Sequence, residues 1–134
     1  MATYNKFNAW AETMVEGANL GSDQFVIALT NTAPVATNSV LTDITQISYT
    51  NLSSRNVTTT SSSQTSGTYT LVLADLVLTA SGAVGPFRYV VLYDDTPTSP
   101  ADPLVGWWDY GSSITMANGE TFTVDFTGAA ITLS

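Results

Sequence analysis

The chain has 134 residues, enough to bury one hydrophobic core and too few for two comfortable domains. With no cysteine and no histidine it lacks disulfides, thiol nucleophiles, imidazole bases and the usual zinc ligands. Three basic side chains against eleven carboxylates give a formal net charge of −8, which excludes the clustered cations that a nucleic-acid duplex or an anionic membrane requires.

No apolar stretch is long enough for the central region of a signal peptide or for a bilayer span, so synthesis in the cytosol is expected. On that expectation the Asn-x-Ser/Thr matches at Asn51 and Asn56 are accidents of a threonine-rich composition. Thr, Ser and Asn fill most polar positions, and because interface cores are depleted of charge, this composition fits a protein that assembles.

Phe7, Trp10, Ala11, Met14, Val15 and Ala18 follow the spacing of one helical face, which predicts a helix over 4–16. Thr3 or Asn5 would cap it, and Gly17 would end it in a left-handed conformation. Residues 1–18 are then either a lid on a sheet or an arm that grips a neighbour. In the second case Phe7, Trp10 and Met14 are interface candidates.

From Phe25 the period changes to two, with Phe25, Ile27 and Leu29 alternating with Val26, Ala28 and Thr30: a strand ended before Pro34. The stretch 51–68 is nearly devoid of apolar residues and reads as a polar loop or hairpin tip facing solvent. In "YTLVLADLVLTA" the leucines change phase, so a β-bulge is expected at Ala74 or Asp75. "FRYVVLYD" is apolar on both faces in its middle, with Phe87, Tyr89, Val91 and Tyr93 on one side, and predicts a strand covered on both sides. Asn118 and Gly119 suit a type I′ turn joining strands over 113–117 and 120–126, and a short strand over 130–133 closes the chain. Together these elements predict a mainly β, single-domain antiparallel β-sandwich or flattened barrel with one N-terminal helix.

In "DPLVGWWDYG" a regular strand would place Leu104, Gly106, Trp108 and Tyr110 on one face and Val105, Trp107 and Asp109 on the other. The charge on Asp109 marks the second face as outer, so Trp108 is assigned to the core and Trp107 to the surface. Val105 and Trp107 join the interface candidates, and Trp107 is a protein anchor or a sugar platform. Asp94, Asp95 and Asp102 bracket the loop "DDTPTSPADP"; neither the two opposed carboxyls of a glycosidase nor the spacing of an EF-hand is present, and the loop reads as a solvated connection. No G-x-S-x-G elbow accompanies the serines. No catalytic residue, cofactor or metal ligand is assigned, and an enzyme is not expected.

Four phrases carry a resemblance: "YNKFNAW", "NLGSDQFVIALTNTAPVATNSVL", "SGAVGPFRYVVLYDDT" and "DPLVGWWDYGSSITMANGETFTVDF". Over nearly its whole length, with departures mostly in 51–68, the chain resembles small virion-associated proteins of tailed bacteriophages and prophages. The resemblance implies a capsid decoration, or cement, protein made in the host cytoplasm and resident on the capsid exterior. Its implied partners are the phage major capsid protein and further copies of itself, a trimer being favoured over a dimer. A tail or baseplate component and a carbohydrate-binding module for the host surface are the alternatives.

Overall fold

The computed structural model describes residues 2–126 and 131–133. Ten strands and one α-helix follow in the order β1 Asn5–Lys6, α1 Trp10–Glu16, β2 Phe25–Thr30, β3 Asn56–Val57, β4 Thr59–Thr65, β5 Thr68–Leu73, β6 Leu76–Thr79, β7 Val84–Asp94, β8 Leu104–Met116, β9 Thr121–Val124 and β10 Ile131–Leu133, with a 3-10 turn at Leu41–Asp43 between β2 and β3. A five-stranded sheet has the order β1-β8-β7-β2-β3, and two smaller sheets are β10-β5-β4 and β6-β9. Among the described residues all pairings are antiparallel and none of the sheets closes into a barrel, so of the two expected architectures the sandwich is the one found.

The main core lies between these sheets. Phe25, Ile27, Leu29, Phe87, Val90, Leu92 and Trp108 from the large sheet meet Leu71, Leu73, Leu78, Val124 and Ile131 from the small ones. A second cluster on the far side of the large sheet joins Val26, Ala28, Val91, Tyr93 and Leu104 to Phe7 and Ile44, with Leu41 and Trp107 packed against it. Strand β2 is therefore buried along its whole length, and the middle of β7 is covered on both sides as its composition predicts.

The helix is shorter than its periodicity suggests. Asn5 and Lys6 pair with Trp107 and Gly106 of β8, and the Phe7 N–H donates to the Val105 carbonyl at 3.1 Å, so these residues extend the large sheet. Helix α1 starts only after Ala9, without a side-chain cap, and Gly17 ends it at φ −126°, not in the left-handed region. Its buried residues are Trp10 and Thr13, one turn apart, while Val15 is 68% exposed. Three apolar positions counted toward a helical face thus belong elsewhere: Phe7 is buried against the sheet, and Ala11 and Val15 face outward.

Four further differences have local causes. The leucine phase change at Ala74–Asp75 is not a bulge: the chain leaves one small sheet and enters the other, and Asp75 Oδ1 accepts the Phe126 N–H at 2.8 Å across the corner. Residues 51–68 are solvent-exposed for the most part, yet they carry β3 and β4, and the hairpin tip is Ser66–Gly67. Both tip residues have positive φ, 51° and 84°, the signature of a two-residue type I′ turn. At Asn118–Gly119 only Gly119 has positive φ, and β9 pairs with β6 instead of folding back on β8, because Ala80 holds the turn through hydrogen bonds with Gly119 and Glu120. In β7 the register shifts between Phe87 and Tyr89, which turns Phe87 to the same core as Val90 and Leu92. The closing strand is Ile131–Leu133; Ala130, expected to open it, lies outside the described residues.

Candidate functional site

Strand β8 carries both tryptophans, and a register shift decides where they point. Leu92 pairs with Gly106 but Tyr93 with Leu104, so Val105 is an extra residue on the β8 side. This bulge reverses the alternation. Val105 turns into the main core and is fully buried, whereas Leu104 belongs to the second cluster. Beyond the bulge Trp108 enters the main core and Trp107 the opposite cluster, so the two indoles lie on opposite faces as expected.

Trp107 is nevertheless not a bare surface ring. It is half-buried, with its ring centroid 4.6 Å from that of Phe7. Of the five interface candidates, Phe7, Trp10 and Val105 lie inside the chain's own cores, and only Met14 and Trp107 keep part of their surface. The face assignment failed at Val105 because a bulge has no composition signal in an apolar run.

The face of Trp108 forms a groove that the sequence reading did not identify. Ala2, Val90, Trp108, Tyr110, Phe122, Thr123, Val124 and Asp125 line a cavity of about 310 Å³, in which the Tyr110 and Phe122 rings pack on each other with centroids 5.5 Å apart. Tyr4 and Phe126 hold the Trp108 ring at 5.3 and 5.7 Å. Burial pushes the Tyr4 phenol up to about 12. Gly106 permits this arrangement: a Cβ there would run into the Tyr4 ring and lie 2.7 Å from the Asn5 carbonyl oxygen. The shared phase of Trp108 and Tyr110 was legible, but Phe122 arrives from another sheet, and no local pattern announces that.

A second cluster is polar. Asp94 ends β7 fully buried; its Oδ1 accepts the Thr96 N–H at 3.2 Å, while Oδ2 has no donor. Burial first, and then the Asp23 carboxyl beside it, push Asp94 up to about 8. Two ionised carboxylates repel, so the pair is satisfied when Asp94 carries the proton and donates it to Asp23. Asp23 itself accepts the Asn19 N–H at 3.0 Å. Asp102 is raised by burial and then by Asp95. The loop Asp95–Ala101 is mostly exposed, as a solvated connection would be, but Asp94 departs from that reading. Among the described residues no three His, Cys, Asp or Glu side chains converge as a metal site.

On the outer part of β8, Asp109 forms a two-point ion pair with Arg88, at 2.8 and 3.0 Å, and accepts the Gly111 N–H. The guanidinium and that N–H hold the carboxyl below its ordinary value. The described surface thus presents a groove of aromatic rings with a carboxylate beside it, and the polar, uncharged strand β4. No family model, curated protein or solved structure matches the chain.

Proposed function

We propose that the protein is a structural component of a bacteriophage virion, a decoration or cement protein that binds the outer surface of the assembled capsid and reinforces its joints. The resemblance of four phrases to virion-associated proteins supplies the class. The structural observation that carries it is a two-layered β body with an uncharged hairpin, β4 and β5, whose inner strand β5 packs on the core and whose outer strand β4 is exposed from Thr60 to Thr65. Such a protein needs rigidity and contact surface, not a reaction centre. Uncharged Thr and Ser side chains lose less on desolvation than lysines or carboxylates.

A binding site made of adjacent capsomers exists only after assembly, so binding stabilises the assembled state by mass action. Purified protein should co-sediment with assembled shells and not with unassembled capsid subunits, burying about 800 Å² or more per partner. Shells stripped of it should rupture at lower temperature and recover on its return. Co-sedimentation with isolated tails in place of shells would transfer the assignment to the tail or baseplate.

The Trp108–Tyr110–Phe122 groove favours a second reading, a carbohydrate-binding module, because aromatic faces stack on sugar rings. A glycan array with wild type and Tyr110→Ala tests it. Tyr110 is 54% exposed, so its removal spares the core; binding lost in the variant supports the module, and no glycan retained by wild type ends it.

A further inference from the structure

We infer that the free edge of β4 is a self-pairing surface, through which two copies of this chain join their small sheets antiparallel about a two-fold axis at Ser62. Among the described residues β4 pairs with β5 alone, and it is exposed from Thr60 to Thr65. The two-residue turn at Ser66–Gly67 fixes which backbone groups are free. Thr65 and Thr68 flank that turn as a hydrogen-bonded pair, so alternate residues, Ser63 and Ser61, also bond to β5, while Gln64 and Ser62 aim their N–H and C=O groups outward.

Edge strands are ordinarily guarded by lysine, proline or a bulge. Between Arg55 and Asp75 there is no charged residue and no proline. The register shift between Thr59 and Ser61 lies at one end of β4, leaving Ser61–Thr65 regular.

Charge selects the occupant. Two copies of a chain with net charge −8 repel each other, and the stretch 56–74 is where they approach without opposing carboxylates. An axis at Ser62 centres the overlap on the regular part of β4: Ser62 faces Ser62 and Ser61 faces Ser63, with Gln64 and Thr65 reaching the partner's register shift at Thr59–Thr60. Every pair is small or neutral, and none places like charges together. A two-fold pairing of this kind differs from the trimer that the resemblance implies, and it rests on the strand edge alone, whether or not the protein decorates a capsid.

Sedimentation equilibrium from about 1 to about 300 μM tests it, since an interface centred on one strand edge belongs to the small, weak class. Wild type should pass from monomer to dimer over this range. Ser62→Pro removes the central outward N–H, and Ser61→Lys with Ser63→Lys places lysines opposite lysines across the axis while leaving the bonds to β5 intact. Each should weaken the dimer at least about tenfold, and added salt should partly restore the lysine variant because it screens the repulsion. Should Ser62→Pro fail to fold, the lysine variant decides. A wild type that stays monomeric or forms trimers, or a dimer that survives the lysine variant, overturns the inference.

Discussion

Asp94 sits at the end of a strand just after the apolar run Val90–Leu92, and its buried carboxyl makes stability depend on pH in an unusual direction. In the unfolded chain it titrates near its ordinary value of 3.8; in the fold, burial and Asp23 raise it to about 8, with Asp95 adding to the effect. Between those values the native state holds a proton that the unfolded state has released, so unfolding becomes easier as pH rises. The contribution is whole below about 4, shrinks through neutrality and is gone once pH passes about 8. Thermal melts should therefore show a melting temperature that falls from pH 5 to pH 8. Asp94→Asn should flatten that slope and be more stable than wild type at pH 8 by on the order of 1–3 kcal/mol. A wild type that gains stability over this range would mean that Asp94 is charged in the fold. The tryptophans make a second test by melting at one pH. Trp108→Ala empties a site in the main core and should cost about 3–5 kcal/mol. Trp107→Ala loses a half-buried contact with Phe7 and should cost clearly less, but more than a surface residue would. Equal losses would contradict the placement of the rings in separate clusters.

Strands were legible wherever burial alone decided them. Alternation over Phe25–Thr30 and the two-sided apolar middle of β7 require nothing beyond local pattern, and both stand as read. Partners were not legible, because pairing is a choice among distant segments. The Asn118–Gly119 dipeptide marked a turn correctly, yet the strand after it went to β6. The hairpin of the type first sought there forms at Ser66–Gly67, inside a stretch that composition marked as a polar loop or hairpin tip. Its backbone gives a test of element stability. Gly67 has φ 84° with open space around it, so Gly67→Ala meets no clash and should cost about 1 kcal/mol through the left-handed conformation alone. Ser66 has φ 51°, a position that Asn accepts more readily, so Ser66→Asn should stabilise by a few tenths of a kcal/mol, about 0.5. Denaturant titration measures both, and effects of the reverse sign would show a different turn. Of the candidate site, Trp108 and Tyr110 were on one face by count, whereas the bulge at Val105 and the arrival of Phe122 depend on contacts between sheets.

At the scale of the molecule, the question left by the sequence was whether residues 1–18 are a lid or an arm. They are stitched into the body at successive points: Asn5 and Lys6 in the large sheet, the Phe7 N–H on Val105, the Asn8 N–H on the Ala36 carbonyl at 2.9 Å, and the Trp10 indole against Phe25 with centroids 6.4 Å apart. Phe7 and Trp10 belong to different clusters on opposite sides of the large sheet, so one short segment closes both cores. Burying two aromatic side chains contributes roughly 3–6 kcal/mol, a large part of the 5–15 kcal/mol by which folded domains of this size are stable. Removing residues 1–18 should consequently abolish cooperative thermal unfolding, and the double variant Phe7→Ala with Trp10→Ala should behave nearly as badly. An arm would give the opposite result, a truncated chain that melts as sharply as the full one and has lost only its affinity for partners. Because Phe7 and Trp10 are committed to the interior, neither is available as the interface anchor that an arm would require. The uncharged edge at β4 and the aromatic groove beside Tyr110 are separate places, so lysine substitution at 61 and 63 should change self-association without changing ligand capture, and Tyr110→Ala should do the reverse, both in a folded chain.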